Sequence, residues 1–228
     1  SKVGFMVHRI QAFFIRLIFR LLYYELAWSY DAVSWLVSFG QWRAWLFCAL
    51  PFVVGERVLE LGHGPGHLLL ALSQLGKTAV GLDLSPAMGR QARRNLQRQN
   101  VTALLVRGKG EQLPFADESF HTVVATFPTN YIFLPETLSA VRRVLRRNGR
   151  FVIIPSTQFT SKSAAVRMLE WLYRITGQRL PETTAATNDP QTIWQPILNR
   201  LDEAGFTPSL HQKNLKDSIV IVLVAEKE

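Results

Sequence analysis

Cysteine is almost absent from this 228-residue chain, where Cys48 is the only one. An intrachain disulfide is therefore excluded, as is a zinc centre built on thiolates. The five histidines are scattered and offer no ligand spacing, so no metal is expected. A catalytic Ser or Cys lacks the sharp elbow that would expose it. Acidic residues are few, 17 against 26 lysines and arginines, and the net charge is +9. Such an excess favours anionic partners, a membrane surface or nucleic acid. Uninterrupted apolar runs of spanning length are missing too. Arg9, Arg16 and Arg20 break every window near the amino terminus, which excludes a membrane-crossing helix there. The same spread of charge argues against a secretory signal. A reducing, cytoplasmic setting suits one cysteine, with peripheral attachment to the inner face of the membrane as a further expectation.

A core is clearly present, since 48% of the residues are hydrophobic. The stretch from Arg57 to Pro86, RVLELGHGPGHLLLALSQLGKTAVGLDLSP, carries the most information. Val58, Leu59 and Leu61 read as a buried strand. Gly62, Gly64 and Gly66 form a loop that turns sharply and lets a ligand approach the backbone. His67 to Leu75 has helical spacing, and Ala79 to Leu84 reads as the next strand. Asp83 lies about 20 residues past the loop, where a carboxylate accepts hydrogen bonds from ribose hydroxyls. Dinucleotide enzymes use a similar loop, so the loop alone leaves the nucleoside open. Ser85-Pro86 reads as a helix start.

The alternation continues. Ala87 to Gln99 reads as a helix whose arginines (Arg90, Arg93, Arg94, Arg98) face water. Val101 to Val106 reads as a third strand, and His121 to Phe127 as a fourth. Pro135 to Leu145 is helical, with Asn148-Gly149 as a C-cap signature. Phe151 to Ile154 is a fifth strand. Thr192 to Ala204 reads as a helix closed by Gly205, and Phe206 to Gln212 and Ser218 to Ala225 as two last strands. Strands alternating with helices predict an α/β fold with a mostly parallel sheet and helices on both faces. Residues 1–50 are expected to form an amino-terminal helical extension, and residues 51–228 the main domain.

Glu60, the loop GHGPG and the acidic strand end resemble the first motifs of class I S-adenosylmethionine (SAM) methyltransferases. QLPFADESFHTVVATF and RRVLRRNGRFVIIP, with Tyr30-Asp31, Ser38-Phe39-Gly40 and Arg43-Ala44-Trp45, are similar to the ubiquinone/menaquinone-biosynthesis methyltransferases. The resemblance implies a Rossmann-like sheet of seven strands in the order 3-2-1-4-5-7-6 and SAM as cofactor. It implies backbone contacts from Gly62, His63, Gly64 and Gly66 around the methionine end, with Glu60 near the amino group. Asp83 would hold the ribose. Leu84 and Met88 would pack on adenine, Gly110, Glu111 and Gln112 would lie at its edge, and Thr126, at the end of the fourth strand, would also contact the cofactor. His63, Tyr30 and Tyr131 are the candidates for catalysis, His63 as a base and the tyrosines at the acceptor. The sequence departs from the family at three places. Lys109 stands where an Asp commonly reads adenine, FPTNYIF occupies the acceptor segment, and His63 lies inside the loop. FPTNY is also similar to the segment of amino-methyltransferases that grips a planar amine. Phe127 replaces its polar residue and Thr129 its second proline.

Residues 2–24 form a second pattern. On a helical wheel Lys2, Arg9, Arg16 and Arg20 share a stripe of about 40°. Ile10, Phe14, Leu17, Ile18, Leu21 and Leu22 fill the opposite arc. Such a helix lies in a bilayer interface with its arginines on anionic headgroups, or packs on protein. Trp28, Trp35, Trp42 and Trp45 suit a headgroup level or the wall of an apolar pocket. The leading expectation is methyl transfer to a small lipophilic acceptor, a quinone precursor or lipid, at a membrane surface. One alternative is a nucleic-acid methyltransferase using Arg142, Arg143, Arg146, Arg147, Arg150 and the Arg90–Arg98 group. The other is a non-catalytic SAM-fold module.

Overall fold

The computed structural model describes residue 38 and residues 40–160 and 190–228. The amphipathic segment 2–24, Trp28, Tyr30-Asp31, Trp35 and Phe39 lie outside the described residues.

Strand β1 (Arg57–Leu61) is the centre of the sheet. Four consecutive buried residues leave it no polar face, as a strand covered by helices on both sides requires. It pairs in parallel with β2 (Thr78–Asp83) and β4 (Phe120–Thr126). Outside β2 lies β3 (Leu104–Arg107), and outside β4 lies β5 (Leu145–Ile154), both parallel. β8 (Ser218–Glu226) pairs antiparallel with β5, and β7 (Thr207–Asn214) covers the other edge of β8. The extra strand, β6 (Thr157–Phe159), is a continuation of β5 past Pro155-Ser156. Both pair with β8, through Ile153↔Leu223 and Thr157↔Val220, with a one-residue shift between them. Proline carries no N–H for the ladder, so the strand breaks there. Counted as one strand, β5 and β6 restore the expected order 3-2-1-4-5-7-6.

Helix α1 (Trp42–Phe47), α2 (His67–Gln74) and α3 (Pro86–Arg98) cover one face of the sheet, where Trp45, Leu68, Leu69, Leu72 and Leu96 are buried together. α4 (Pro135–Val144) and α5 (Pro190–Glu203) cover the other, with Leu138, Val141, Val144, Trp194 and Leu201. Ser85 caps α3, its hydroxyl accepting from the Met88 N–H at 3.3 Å, with Pro86 in the first turn. Trp45, Cys48 and Ala49 pack within the same core as the sheet, so this part of the segment 1–50 is built into the domain. The Trp45 indole N–H donates to the buried Ser218 hydroxyl at 2.9 Å. Trp45→Phe removes that bond and leaves part of the indole's space empty in the packed core. We expect a loss of about 2–3 kcal/mol, read as a Tm lower by roughly 4–12 °C.

Asn148-Gly149 is not a helix cap. α4 ends at Val144 and the chain enters β5 at once. The register jumps between Phe120↔Leu145 and Thr122↔Arg150, so the pair sits in a bulge. Asn148 takes the left-handed conformation, with φ 59°. Its N–H donates to the Lys227 carbonyl at 2.7 Å, and the Lys227 N–H donates to the Gly149 carbonyl at 2.9 Å. The same residue types that end helices here tie down the carboxyl terminus.

Candidate active site

The carboxyl ends of β1, β2 and β4 open onto a cavity of about 500 Å³. Open α/β sheets bind ligands at this edge. Its floor is the glycine loop, where Gly62 and Gly64 take φ of 69° and 51°, values that disfavour a side chain. A methyl group built on Gly64 would meet no protein atom within 4 Å. The room beside this backbone is what a ligand lying on the loop needs. Gly62 N–H donates to the Leu82 carbonyl at 2.7 Å, and the Asn95 side-chain amide donates to the Pro65 carbonyl at 3.0 Å. The loop is thereby tied to β2 and to α3.

Asp83 is the hub. One carboxylate oxygen accepts from Gly64 N–H at 2.9 Å, and the other accepts from Ser85 N–H at 2.8 Å. It joins the glycine loop to the start of α3 while lining the cavity. Each oxygen keeps a further lone pair for a ligand hydroxyl.

Glu60 lies one strand away, 2% exposed. Its Oε2 has no hydrogen-bond partner. Burial pushes its pKa well above the ordinary carboxylate range, the Asp83 charge pushes the same way, and the Leu69 backbone N–H opposes both. The folded chain therefore holds a proton that the unfolded chain has released. The stability this contributes is complete below the ordinary carboxylate pKa and is lost as pH rises through the raised one. Glu60→Gln cannot ionise and removes that loss. We expect the Tm of the variant to rise relative to wild type as pH increases, with roughly 2–4 °C for each kcal/mol recovered.

His63 Nδ1 lies 2.8 Å from the Gly64 carbonyl. A carbonyl only accepts, so Nδ1 carries the proton. Burial lowers the His63 pKa, against the Asp83 charge and the backbone contacts, which raise it. The imidazole is held neutral. Its ring lies over β2, with Cδ2 2.8 Å from where a Gly81 Cβ would stand.

The opposite wall is aromatic. Phe127, just past β4, takes a positive φ of 49°, uncommon for a bulky residue. Its ring stacks on Trp42 at 4.7 Å between centroids and 29° between planes. Trp42 and Leu46 of α1 line the cavity beside it, with Pro128, Thr129 and Tyr131. The Tyr131 ring passes across Gly110, where a Cβ would sit 2.6 Å from Cε2. Its hydroxyl reaches toward Gly62, 3.5 Å from a Cβ placed there.

Of the residues chosen from sequence, Glu60, Gly62, His63, Gly64, Asp83, Leu84, Gly110, Glu111, Thr126 and Tyr131 do line this cavity. Three do not. Met88 is fully buried under α3, on the same helix face as Ala92 and Leu96. Gly66 begins α2 and stands against α3, a Cβ there lying 3.0 Å from the Ala92 Cβ. Gln112 turns to a separate depression beside Glu136 and Arg143. Tyr30 lies outside the described residues. Sequence reasoning missed Leu46, Gly108 and Ser85 as lining residues. The signal for Ser85 was its place next to Asp83.

Four of the nine arginines proposed to bind a nucleic acid, all on α4 and β5, make contacts within the chain. Arg143 donates to the Leu113 and Phe115 carbonyls and pairs with Asp117 at 2.7 Å. Arg142 donates to the Gly205 carbonyl and Arg146 to that of Glu118. Arg150 pairs with Glu226 at 2.8 Å. Among the described residues no helix is long and apolar enough to cross a membrane, and no group of three or more metal-ligating side chains occurs.

Comparison with known proteins agrees with this geometry. The family model described as a methyltransferase domain matches residues 58–149. An uncharacterized methyltransferase of Synechocystis sp. is 34% identical over 208 residues, covering 83% of this chain and 87% of the relative. The demethylmenaquinone methyltransferase of Tropheryma whipplei is 33% identical over 139 residues, 59% of this chain and 57% of that enzyme. In fold, the chain is similar to geranyl diphosphate C-methyltransferase from Streptomyces coelicolor A3(2), solved with S-adenosyl-L-homocysteine. The TM-score is 0.58 at 12% identity, over 81% of this chain and 79% of that one.

Proposed function

We infer the reaction from one premise: the chain belongs to the class I SAM-dependent methyltransferases, in the family that includes the demethylmenaquinone enzymes. It is an enzyme that takes its methyl group from SAM. We propose that the acceptor is a lipophilic ring of the quinol type, methylated at a membrane surface.

The residues fit the cofactor. The orphaned Oε2 of Glu60 suits its ammonium group, the bare Gly64 backbone its methionine tail, and the Asp83 carboxylate its ribose. Leu84, 45% exposed, offers an apolar face for adenine, with Gly110 and Glu111 at its edge. SAM supplies an electrophilic methyl on a sulfonium whose thioether is the leaving group. The chain's own task is to align an acceptor and exclude water.

The acceptor assignment is carried by Phe127. The position past β4 meets the acceptor, and an amine would need a polar partner there. Instead Phe127 and Trp42 present stacked rings, with Leu46 beside them. This wall suits a flat apolar ring. The Tyr131 hydroxyl donates to an acceptor oxygen and holds the neighbouring carbon in line with the methyl. With SAM bound, the new carbon–carbon bond would form as the carbon–sulfur bond breaks, the thioether would leave, and the ring proton would pass to water. His63, held neutral against β2, keeps the loop in shape. Residues 2–24 lay the enzyme on an anionic bilayer.

The test is transfer of labelled methyl from SAM, offered reduced demethylmenaquinone in detergent and, separately, total RNA. Label is expected in the quinone fraction. Label in RNA alone overturns the acceptor.

A further inference from the structure

Residues 84–110 hold Arg90, Arg93, Arg94, Arg98, Arg107 and Lys109 and no acid. Much of the chain's excess charge is thus confined to α3, β3 and their connections. Arg90, Arg93 and Arg94 from α3 meet Arg107 from the end of β3 around a cleft of about 470 Å³. Its inner wall is His63, Asp83 and Ser85, which also line the cofactor cavity, so the two sites stand back to back.

This cluster differs from the arginines of α4 and β5. Among the described residues, Arg90, Arg93 and Arg94 have no carboxylate partner. Arg107 donates from Nε to the Leu84 carbonyl at 3.3 Å. The one carboxylate in the lining, Asp83, already accepts from two backbone N–H groups. Converging like charges repel, and an anion between them relieves the repulsion. Guanidinium forks match phosphate oxygens two at a time. The lining contains no Phe, Tyr or Trp on which bases would stack, as single-stranded nucleic acid requires. Its volume suits one headgroup rather than a strand.

We propose that this cleft seats the phosphate headgroup of an anionic lipid and docks the α3–β3 edge of the domain on the membrane. The docked edge brings the neighbouring cofactor cavity to the bilayer, where a lipophilic acceptor resides. The proposal rests on the lipophilic-acceptor reading for its purpose, and on the arginines for its chemistry.

The experiment uses the full chain, sedimented with vesicles of phosphatidylglycerol in phosphatidylcholine and with pure phosphatidylcholine. The variant is Arg90→Gln/Arg93→Gln/Arg94→Gln, with the triple Lys replacement as the charge-preserving control. Binding to the anionic vesicles is expected to fall about 100-fold in the Gln variant, at about 1 kcal/mol per basic residue near the surface. The Lys variant should recover most of it. Tm, SAM affinity and methylation of a detergent-solubilised quinol should stay at wild-type values. Should the triple Gln variant fail to fold, Arg90→Gln and Arg93→Gln made singly provide the test: each is expected to weaken anionic-vesicle binding about 5-fold, and unchanged binding in both folded single variants overturns the proposal. Unchanged vesicle binding in a folded Gln variant overturns the proposal. So does arginine-dependent binding confined to glycerol phosphate, which marks a soluble ligand, or to RNA. If the arginine-dependent vesicle binding holds while no quinol is methylated, the acceptor reading fails and this site stands.

Discussion

Asp83→Asn is expected to weaken SAM binding about 10- to 100-fold, roughly 1–3 kcal/mol, although it changes a single atom type. Both carboxylate oxygens accept from backbone N–H groups, Gly64 on one side and Ser85 on the other. An amide offers one acceptor and one donor. Whichever way it turns, an NH2 group faces a backbone N–H and one of the two ties is lost. The ribose site suffers as well, since the amide presents a donor where two acceptors stood. Asp83→Ala removes both ties and the ribose partner together and should lose at least as much. Calorimetric titration of each variant measures the effect. Wild-type affinity for the Asn variant would remove Asp83 from both roles.

Gly81→Ala should destabilise the fold by about 1–3 kcal/mol, the usual result of overfilling a packed core, or roughly 2–12 °C in Tm. Gly81 lies in the middle of β2, between Glu60 on β1 and Leu105 on β3. A Cβ there would stand 2.6 Å from Leu69 Cδ1 and 2.8 Å from His63 Cδ2. Both neighbours are buried, so neither yields freely. A shifted His63 pulls on the Gly64 carbonyl, and SAM affinity should fall with stability. The double variant His63→Ala/Gly81→Ala separates the causes. Removing the imidazole clears one obstacle, so the pair should be less destabilised than the sum of the singles, by about 0.5 kcal/mol or more. Strict additivity would show that His63 does not rest on Gly81.

The central sheet was legible because its information is local. Buried runs at β1 and β2, the glycines between them and the Ser85-Pro86 helix start each follow from residue chemistry at short range. Asp83 was legible for the same reason, at the end of a strand after a glycine loop. Its grip on Gly64 was not, since the partners meet only when β1 and β2 lie side by side. Met88 follows its spacing with Ala92 and Leu96, which places it on the buried face of α3. Asn148-Gly149 carries the chemistry of a helix end, yet its left-handed residue serves a bulge that the carboxyl terminus completes. The arginines of α4 and β5 looked alike in sequence to those of α3. Only tertiary structure shows which ones find carbonyls and carboxylates and which converge on an open cleft.

The most direct test is a crystal structure of the full chain with S-adenosylhomocysteine. The expected result has both ribose hydroxyls within hydrogen-bond distance of the Asp83 carboxylate, the amino-acid tail along Gly62 and Gly64, and the sulfur directed toward Phe127 and Tyr131. A nucleoside seated among Arg90, Arg93 and Arg94, or an Asp83 carboxylate that touches no hydroxyl, would contradict it.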